Sequence, residues 1–463
     1  MSAYFARNCR AEYQKAALWE AIKSSSKTFP QDANNFEEII YTWLRETSET
    51  SADTISAFLD GVTNFQFKKE QAAALDVYHQ DSKNISEVQV FYGVEGKQNA
   101  VLTFLSMVLQ SNKPQTLLLY SNEDLGWLTG NPEFTLQWAN LLMQVIKSGH
   151  KIKIIHTIIR DFDEMLSAIK QWVPLYMTGS IEPYYYPRIR DGLFRRTLFI
   201  APQTAAVTSS SVASGTKNAA NFLFTDKNTV KALIEEYNGF LSLCRMLMRI
   251  FTPAGEEDYL ALLAEFEDEK TDTIVKTDTL TNITMPVDVV KHILDRLESP
   301  DKEQLLAYQQ QRIEKFINSL QKNHFTELLS VPGLEQILAG KVAVNFSDML
   351  NESLLFYTPW EYSRHLANII RLLKQHDNFH VHLVSKKPLE GSIVYVREGV
   401  GVLVGKTMPP SVVFAINESN MTAAFWDYMS HLTDGRPLNK KHRQDTITKL
   451  EAIVARLEES LQA

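Results

Sequence analysis

Four arginines, Arg188, Arg190, Arg195 and Arg196, fall within nine residues, directly after the run Tyr184-Tyr185-Tyr186. A guanidinium presents a planar fork of donors that matches a carboxylate or phosphate bidentately, and tyrosine faces offer stacking surfaces beside it. These residue types at this spacing suit a pocket for an anionic or aromatic small molecule. His156 and Arg160, at the end of the apolar run from Lys151 to Ile159, are expected to reach the same place. The expected ligand-binding set is therefore His156, Arg160, Tyr184, Tyr186, Arg188, Arg190, Arg195 and Arg196. The competing reading is a surface loop whose tyrosines pack half-buried and whose arginines pair with the many acids.

Other candidate chemistry is thinner. His380 and His382 alternate on a predicted strand and share a face, with His376 nearby, but only Asp377 is close enough to complete a metal set. Ordinary hydrogen-bonded histidines are expected there, with no metal and no cofactor. Cys9 and Cys244 are the only cysteines and have no metal-ligand spacing, which fits a reducing compartment. No apolar run approaches the ~18 residues of a membrane span, and Met1 to Arg10 lacks an apolar segment behind its charges. A soluble cytoplasmic protein without a membrane partner is expected. The net charge of −8 argues against a surface-wide footprint for nucleic acid, and 24 Phe, 17 Tyr and 7 Trp exclude a disordered chain.

The elements that would position these residues read as a duplication. Thr116-Leu117-Leu118-Leu119-Tyr120-Ser121 reappears as Ser353-Leu354-Leu355-Phe356-Tyr357-Thr358. An amphipathic helix and a short apolar strand follow each copy: Trp138 to Leu142 then Lys151 to His156, and Leu366 to Ile370 then Phe379 to Val384. One insertion around Gly126 to Pro132 reconciles the spacing. Each copy then continues into a hairpin, turning at Ala201-Pro202-Gln203 and at Arg397-Glu398-Gly399, a further strand and a helix, with Asn417 matched to Asp226 and Tyr428 to Tyr237.

This order resembles the phospholipase D fold, two α/β lobes facing each other across one site. The resemblance implies His-x-Lys at the start of each hairpin, an Asp five residues after the Lys, and a Gly-Ser-x-Asn stretch beyond, with one histidine attacking phosphorus and the other protonating the leaving group. The matching positions hold Arg195-Arg196-Thr197 with Ser209-Ser210-Ser211 beyond, and Gly391-Ser392-Ile393 with Glu398. Hydrolysis by that mechanism is not expected.

The stretch before the lobes reads as helical from residue 4 to 110. Phe36 to Arg45, a break at Ser48 to Ser51, and Ala52 to Leu59 stopping at Gly61 have the layout of a helix-turn-helix. The second helix, however, carries Asp53 and Asp60 and no Arg or Lys, so an ordinary helical hairpin is favoured over contact with phosphates. After Gly435 a basic cluster precedes Thr446 to Leu461, whose stripe of Ile447, Leu450, Val454, Leu457 and Leu461 is read as intramolecular packing in preference to a dimer seam.

Leu118 to Ser121, Glu123 to Leu128, Lys153 to Thr157, Trp172 to Thr178, Glu182 to Tyr186 and Arg190 to Pro202 also resemble an uncharacterised family of Firmicutes proteins, usually labelled transcriptional regulators with an N-terminal helix-turn-helix. That likeness implies a ligand-sensing and oligomerising region, with DNA reached only through a helix-turn-helix absent or degenerate here, and Met1 falling where that module would be ending. The expected fold is α/β: a helical N-terminal region (1–112), two duplicated phospholipase D-like α/β lobes (113–250 and 341–434) with a helical insertion between them (251–340), and a C-terminal helix (435–463). The expected function is binding of an anionic small molecule between two inactive lobes, in a possible homodimer. The alternatives are a hydrolase using His156 with Glu182 or Asp191, and an interaction scaffold without a pocket.

Overall fold

A computed structural model describes residues 52–64 and most of 87–462, together with Trp19. The expected helix Phe36 to Arg45, the residues Arg160, Arg190 and Asp191, and most of the helix expected from Asp161 lie outside the described residues.

Two mixed sheets carry the chain. The first is built from β1 (Val88–Tyr92), β2 (Thr116–Ser121), β3 (Lys151–His156), β4 (Ile181–Tyr185), β5 (Phe194–Ala201), β6 (Ala205–Val212), β7 (Ala220–Phe224) and β8 (Arg245–Met246), in the order β1-β7-β6-β5-β2-β3-β4-β8. The second uses β9 (Met248–Phe251), β10 (Thr273–Thr277), β11 (Phe325–Leu329), β12 (Phe379–Leu383), β13 (Ser392–Arg397), β14 (Gly401–Lys406) and β15 (Val412–Ile416), in the order β12-β11-β10-β13-β14-β15-β9. Reversed, the second order repeats the first strand for strand, apart from β8. In each, three parallel strands continue into an antiparallel hairpin, a third antiparallel strand and an edge strand contributed from earlier in the chain. This is an α/β protein consistent with duplicated phospholipase D-like lobes.

The register of the duplication differs from the one expected. Ser353 lies outside the described residues, and 354–358 forms no strand, only an isolated bridge between Ala343 and Phe356. The true partner of β2 is β10, since Leu118 faces Ile200 across the sheet as Ile274 faces Val396. The apolar run before Thr358 instead anchors a helix entrance, with Thr358 and Glu361 forming a reciprocal capping box and Pro359 in the first turn. β10 escaped notice because Thr273, Lys276 and Thr277 make it look polar, yet all five of its residues are buried. The segment 251–340, expected to be mostly helical, also supplies β10 and β11, two of the three parallel strands of the second sheet. Likewise β1 interrupts the stretch expected to be helical as far as residue 110.

The helices cover both faces of each sheet. On one face of the first sheet lie α1 (Gly93–Gln110) and α2 (Pro132–Lys147), packed on Leu117, Leu119, Ile152, Ile154 and Phe199. On the other lies α3 (Lys227–Leu241), over Leu118, Tyr120, Ile155, Leu198 and Ile200. The second sheet carries α4 (Glu256–Asp268), α5 (Val287–Asp295), α6 (Lys302–Ser319) and α7 (Pro359–Gln375) on one face, and α8 (Ser419–His431) on the other. The N-caps of α3 and α8 are Asp226 and Glu418, one residue from the expected match with Asn417, because Phe224 and Ile416 hold the same register position.

The helix at 52–63 packs Ile55, Phe58, Leu59 and Val62 into the core beside α8, with Phe58 edge-on to Phe414 and Phe425 at 6.4 and 6.3 Å, while Asp53 and Asp60 face outward. The C-terminal α9 (Lys440–Gln462) lays Ile447, Leu450 and Leu457 into the same apolar cluster as α7, and Arg443 donates to the carbonyls of Leu373 and His376 at that helix's end. Val454 of the expected stripe packs partly against the same cluster, while Leu461 is exposed. Among the described residues, no helix is long and apolar enough to cross a membrane.

Candidate functional site

The start of β5 is where the sequence placed the chemistry, and strand geometry divides the expected set. Alternate residues of a strand face opposite sides of its sheet. His156 follows Ile152 and Ile154 toward α2, where its ring meets Trp172 and Tyr176, with Nε2 2.5 Å from the Tyr176 hydroxyl. Desolvation there pushes its pKa down to about 4. Tyr184 sits on the α3 face, donating to Glu182 at 2.9 Å, and the Tyr186 ring lies 5.6 Å from that of Phe240 on α3. His156 and these tyrosines are thus separated by the sheet. Arg188 is exposed. Of the described set, Arg195 and Arg196 lie together at the start of β5, although as consecutive strand residues their side chains leave the sheet on opposite faces. Both border an open cavity of about 510 Å³ with Tyr120, Asn122, Glu236 and Phe240. Arg196 pairs with Glu236 at 2.7 Å, and its backbone N–H donates to the Asn122 side chain. Among the described residues Arg195 has no ion-pair partner. The cavity's described lining comes from the first lobe alone, so it does not lie between the lobes.

Two residues behind Arg195 the strand enters a buried polar cluster that sequence reasoning missed. Thr197 is wholly buried, and its hydroxyl lies 3.0 Å from the Ser121 hydroxyl, 3.2 Å from Lys97 Nζ and 3.2 Å from Glu123 Oε1. Ser209 on β6 donates to the same carboxylate oxygen at 3.1 Å, while Lys97 from α1 pairs with Oε2. Lys97 also stands 5.4 Å from the centre of the Trp127 ring. Burial lowers the lysine's pKa, and the Glu123 charge opposes that shift. The carboxylate oxygens are engaged on both sides, so this cluster ties α1, β2, β5 and β6 together and leaves no free base. No motif could have announced it. Lys97 and Glu123 lie in helical and loop contexts where a charged residue is normally solvated.

The second lobe treats the same place differently. The hairpins close at Ala201 with Ala205 and at Arg397 with Gly401, which sets Ile393 opposite Thr197 and Gly405 opposite Ser209 in the two copies. Ile393 is buried in an apolar cluster. The polar groups of this lobe lie deeper. Lys276 pairs with Asp278 at 2.6 Å, and Glu327, fully buried, accepts from the Thr281 hydroxyl at 3.0 Å. Desolvation pushes the Glu327 carboxyl up to about 7, against those hydrogen bonds. His380 shares a 3.0 Å contact with His324, and among the described residues no group of three or more His, Cys, Asp or Glu could hold a metal ion.

Neither a model of a known protein family nor a curated protein sequence matches the chain. Solved structures share distant likenesses of low overall superposition. TrmBL2, an archaeal chromatin protein whose structure shows a novel mode of DNA binding, is 14% identical, covering 50% of this chain and 82% of its own, with a TM-score of 0.26. The phospholipase D family member Nuc from Salmonella typhimurium is 15% identical over 34% of this chain and 96% of its own, at a TM-score of 0.25. Polyphosphate kinase from Porphyromonas gingivalis is 11% identical over 80% of this chain and 56% of its own, at a TM-score of 0.22.

Proposed function

We propose that this chain is a ligand-binding protein without phosphodiesterase chemistry, the sensing region of a transcriptional regulator, and that an anionic small molecule binds at the start of β5 in the first lobe. The observation that carries the reading is the composition of the two hairpin positions where the phospholipase D pattern needs a nucleophilic histidine and a phosphate-binding lysine. They hold Arg195 and Thr197 in one lobe and Gly391 and Ile393 in the other. The Thr197 hydroxyl is already shared among Lys97, Ser121 and Glu123. No group there can attack phosphorus, whereas Arg195 and the Arg196–Glu236 pair border an open cavity with aromatic walls. An incoming phosphate or carboxylate would take the place of Glu236 on Arg196, with Arg195 at the rim of the cavity adding positive charge.

His156 does not support the hydrolase alternative, because its ring is capped by Tyr176 and lies across the sheet from Glu182. Isothermal titration of nucleotides and phosphorylated metabolites tests the reading. Saturable binding to the wild type that weakens at least roughly tenfold in both Arg195→Ala and Arg196→Ala is expected, the loss of a charge-assisted bond. Binding indifferent to both substitutions would place the ligand elsewhere.

A further inference from the structure

The position that holds the Lys97–Glu123 cluster in the first lobe is hollow in the second. A cavity of about 160 Å³ lies between the sheet and α4, α5 and α6. Ile393, the counterpart of Thr197, and Leu403, the counterpart of Val207, form its sheet wall. Leu263 and Val290 close it from the helices. Its polar neighbours are mostly committed to one another. Arg312 holds Glu267 through two bonds of 2.7 Å, Gln309 donates to the Asn282 carbonyl, and Asn345 donates to the Leu280 carbonyl. Of the described lining, only the Asn282 amide oxygen is a buried side-chain polar atom without a partner.

From this we propose that the second lobe binds an uncharged apolar ring of about benzene size in this cavity. The volume decides the occupant. Leucine- and phenylalanine-lined voids near ~150 Å³ stay free of water and take up benzene, because water finds too few partners there and a ring recovers the missing dispersion contacts. The wall decides the charge. A carboxylate or ammonium would be stripped of water without gaining a free counter-charge, since Arg312 and Glu267 already neutralise each other. The site is separate from the anion cavity beside Arg195, which belongs to the other lobe. The Arg312–Glu267 pair also borders a smaller pocket that shares Tyr308, Ile283 and Tyr395 with the cavity, so the ion pair stands between the two.

Titration of the full chain with toluene, and with benzoate as the charged counterpart, followed by calorimetry and thermal unfolding, tests the proposal. Toluene is expected to bind saturably and raise Tm, with benzoate at least roughly tenfold weaker here. Leu263→Phe, which fills the void, should abolish the toluene response while leaving the titration of anionic ligands unchanged; Val290→Phe is the second filling variant should the first fail to fold. Absence of saturable toluene binding to the wild type, or full binding by a folded filling variant, would overturn the proposal.

Discussion

Lys97 and Glu123 show how much a single pair can matter when nothing around it is wet. Both side chains are nearly wholly buried, so removing one leaves the other as an uncompensated charge. Glu123→Ala is expected to destabilise the protein by about 3–5 kcal/mol in urea unfolding, while the double substitution Lys97→Met with Glu123→Leu should recover most of the loss. A double variant no better than Glu123→Ala would mean that the hydroxyls of Thr197 and Ser209, not the charges, set the cost. Glu327 makes a different prediction. Its folded pKa of about 7 lies above the ordinary 4.5, so the fold accommodates the neutral acid. The stability this contributes is complete below about pH 4.5 and is lost as the pH rises through about 7. Glu327→Gln should therefore flatten the pH dependence of Tm between those limits and raise stability at pH 8 by up to about 3 kcal/mol. An unchanged slope would show that another group titrates there. Little of this was legible in the sequence. Arg195 and Arg196 were found by their type and spacing, but the separation of His156 from Tyr184 depends on which face of β3 and β4 each occupies, and the chain's apolar runs fix no face when both sides of a sheet are covered.

Among the elements, the helix at 52–63 has the most to say about role. Its apolar positions repeat at 55, 58, 59 and 62, the spacing of one helical face, and that face is spent on Phe414, Phe425 and their neighbours. What it leaves outward includes Asp53 and Asp60, a poor surface for a phosphate backbone. Phe58→Ala should cost about 3–5 kcal/mol, and gel shifts with the intact chain should show no sequence-specific complex through this helix. A specific shift abolished by Asp60→Ala, or a Phe58→Ala variant as stable as the wild type, would contradict this reading of the helix. The sequence reading got the hairpins, β15 and α8 nearly right because their turn chemistry is local, as at Gly399 with its positive φ. It misplaced the first strand of the second copy because β10 is two-sided and carries Lys276, while the run before Thr358 looks like a strand and caps a helix.

The whole molecule is two copies of one sheet order, joined through an apolar cluster that runs from Leu117 and Ile154 in the first lobe to Ile274, Val404 and Phe414 in the second. The copies have diverged at the start of their hairpins. One holds a charged lock beside an arginine-edged cavity, the other an apolar hollow. His156, His365 and His380 are all held neutral by burial, with pKa values of about 4, 3 and 4. Their contribution is complete above the unfolded value near 6.5 and fades as the pH falls toward 4, so acid unfolding should begin below pH 6.5, with Tm measured at fixed ionic strength as the readout. Binding without turnover is tested by phosphorus NMR of a panel of nucleotides and phosphorylated sugars incubated with the protein. At least one resonance should broaden and shift with wild type, lose that response with Arg195→Ala, and show no new phosphate signal over a day. Appearance of a hydrolysed product with the wild type, absent with the Arg195→Ala control, would contradict it.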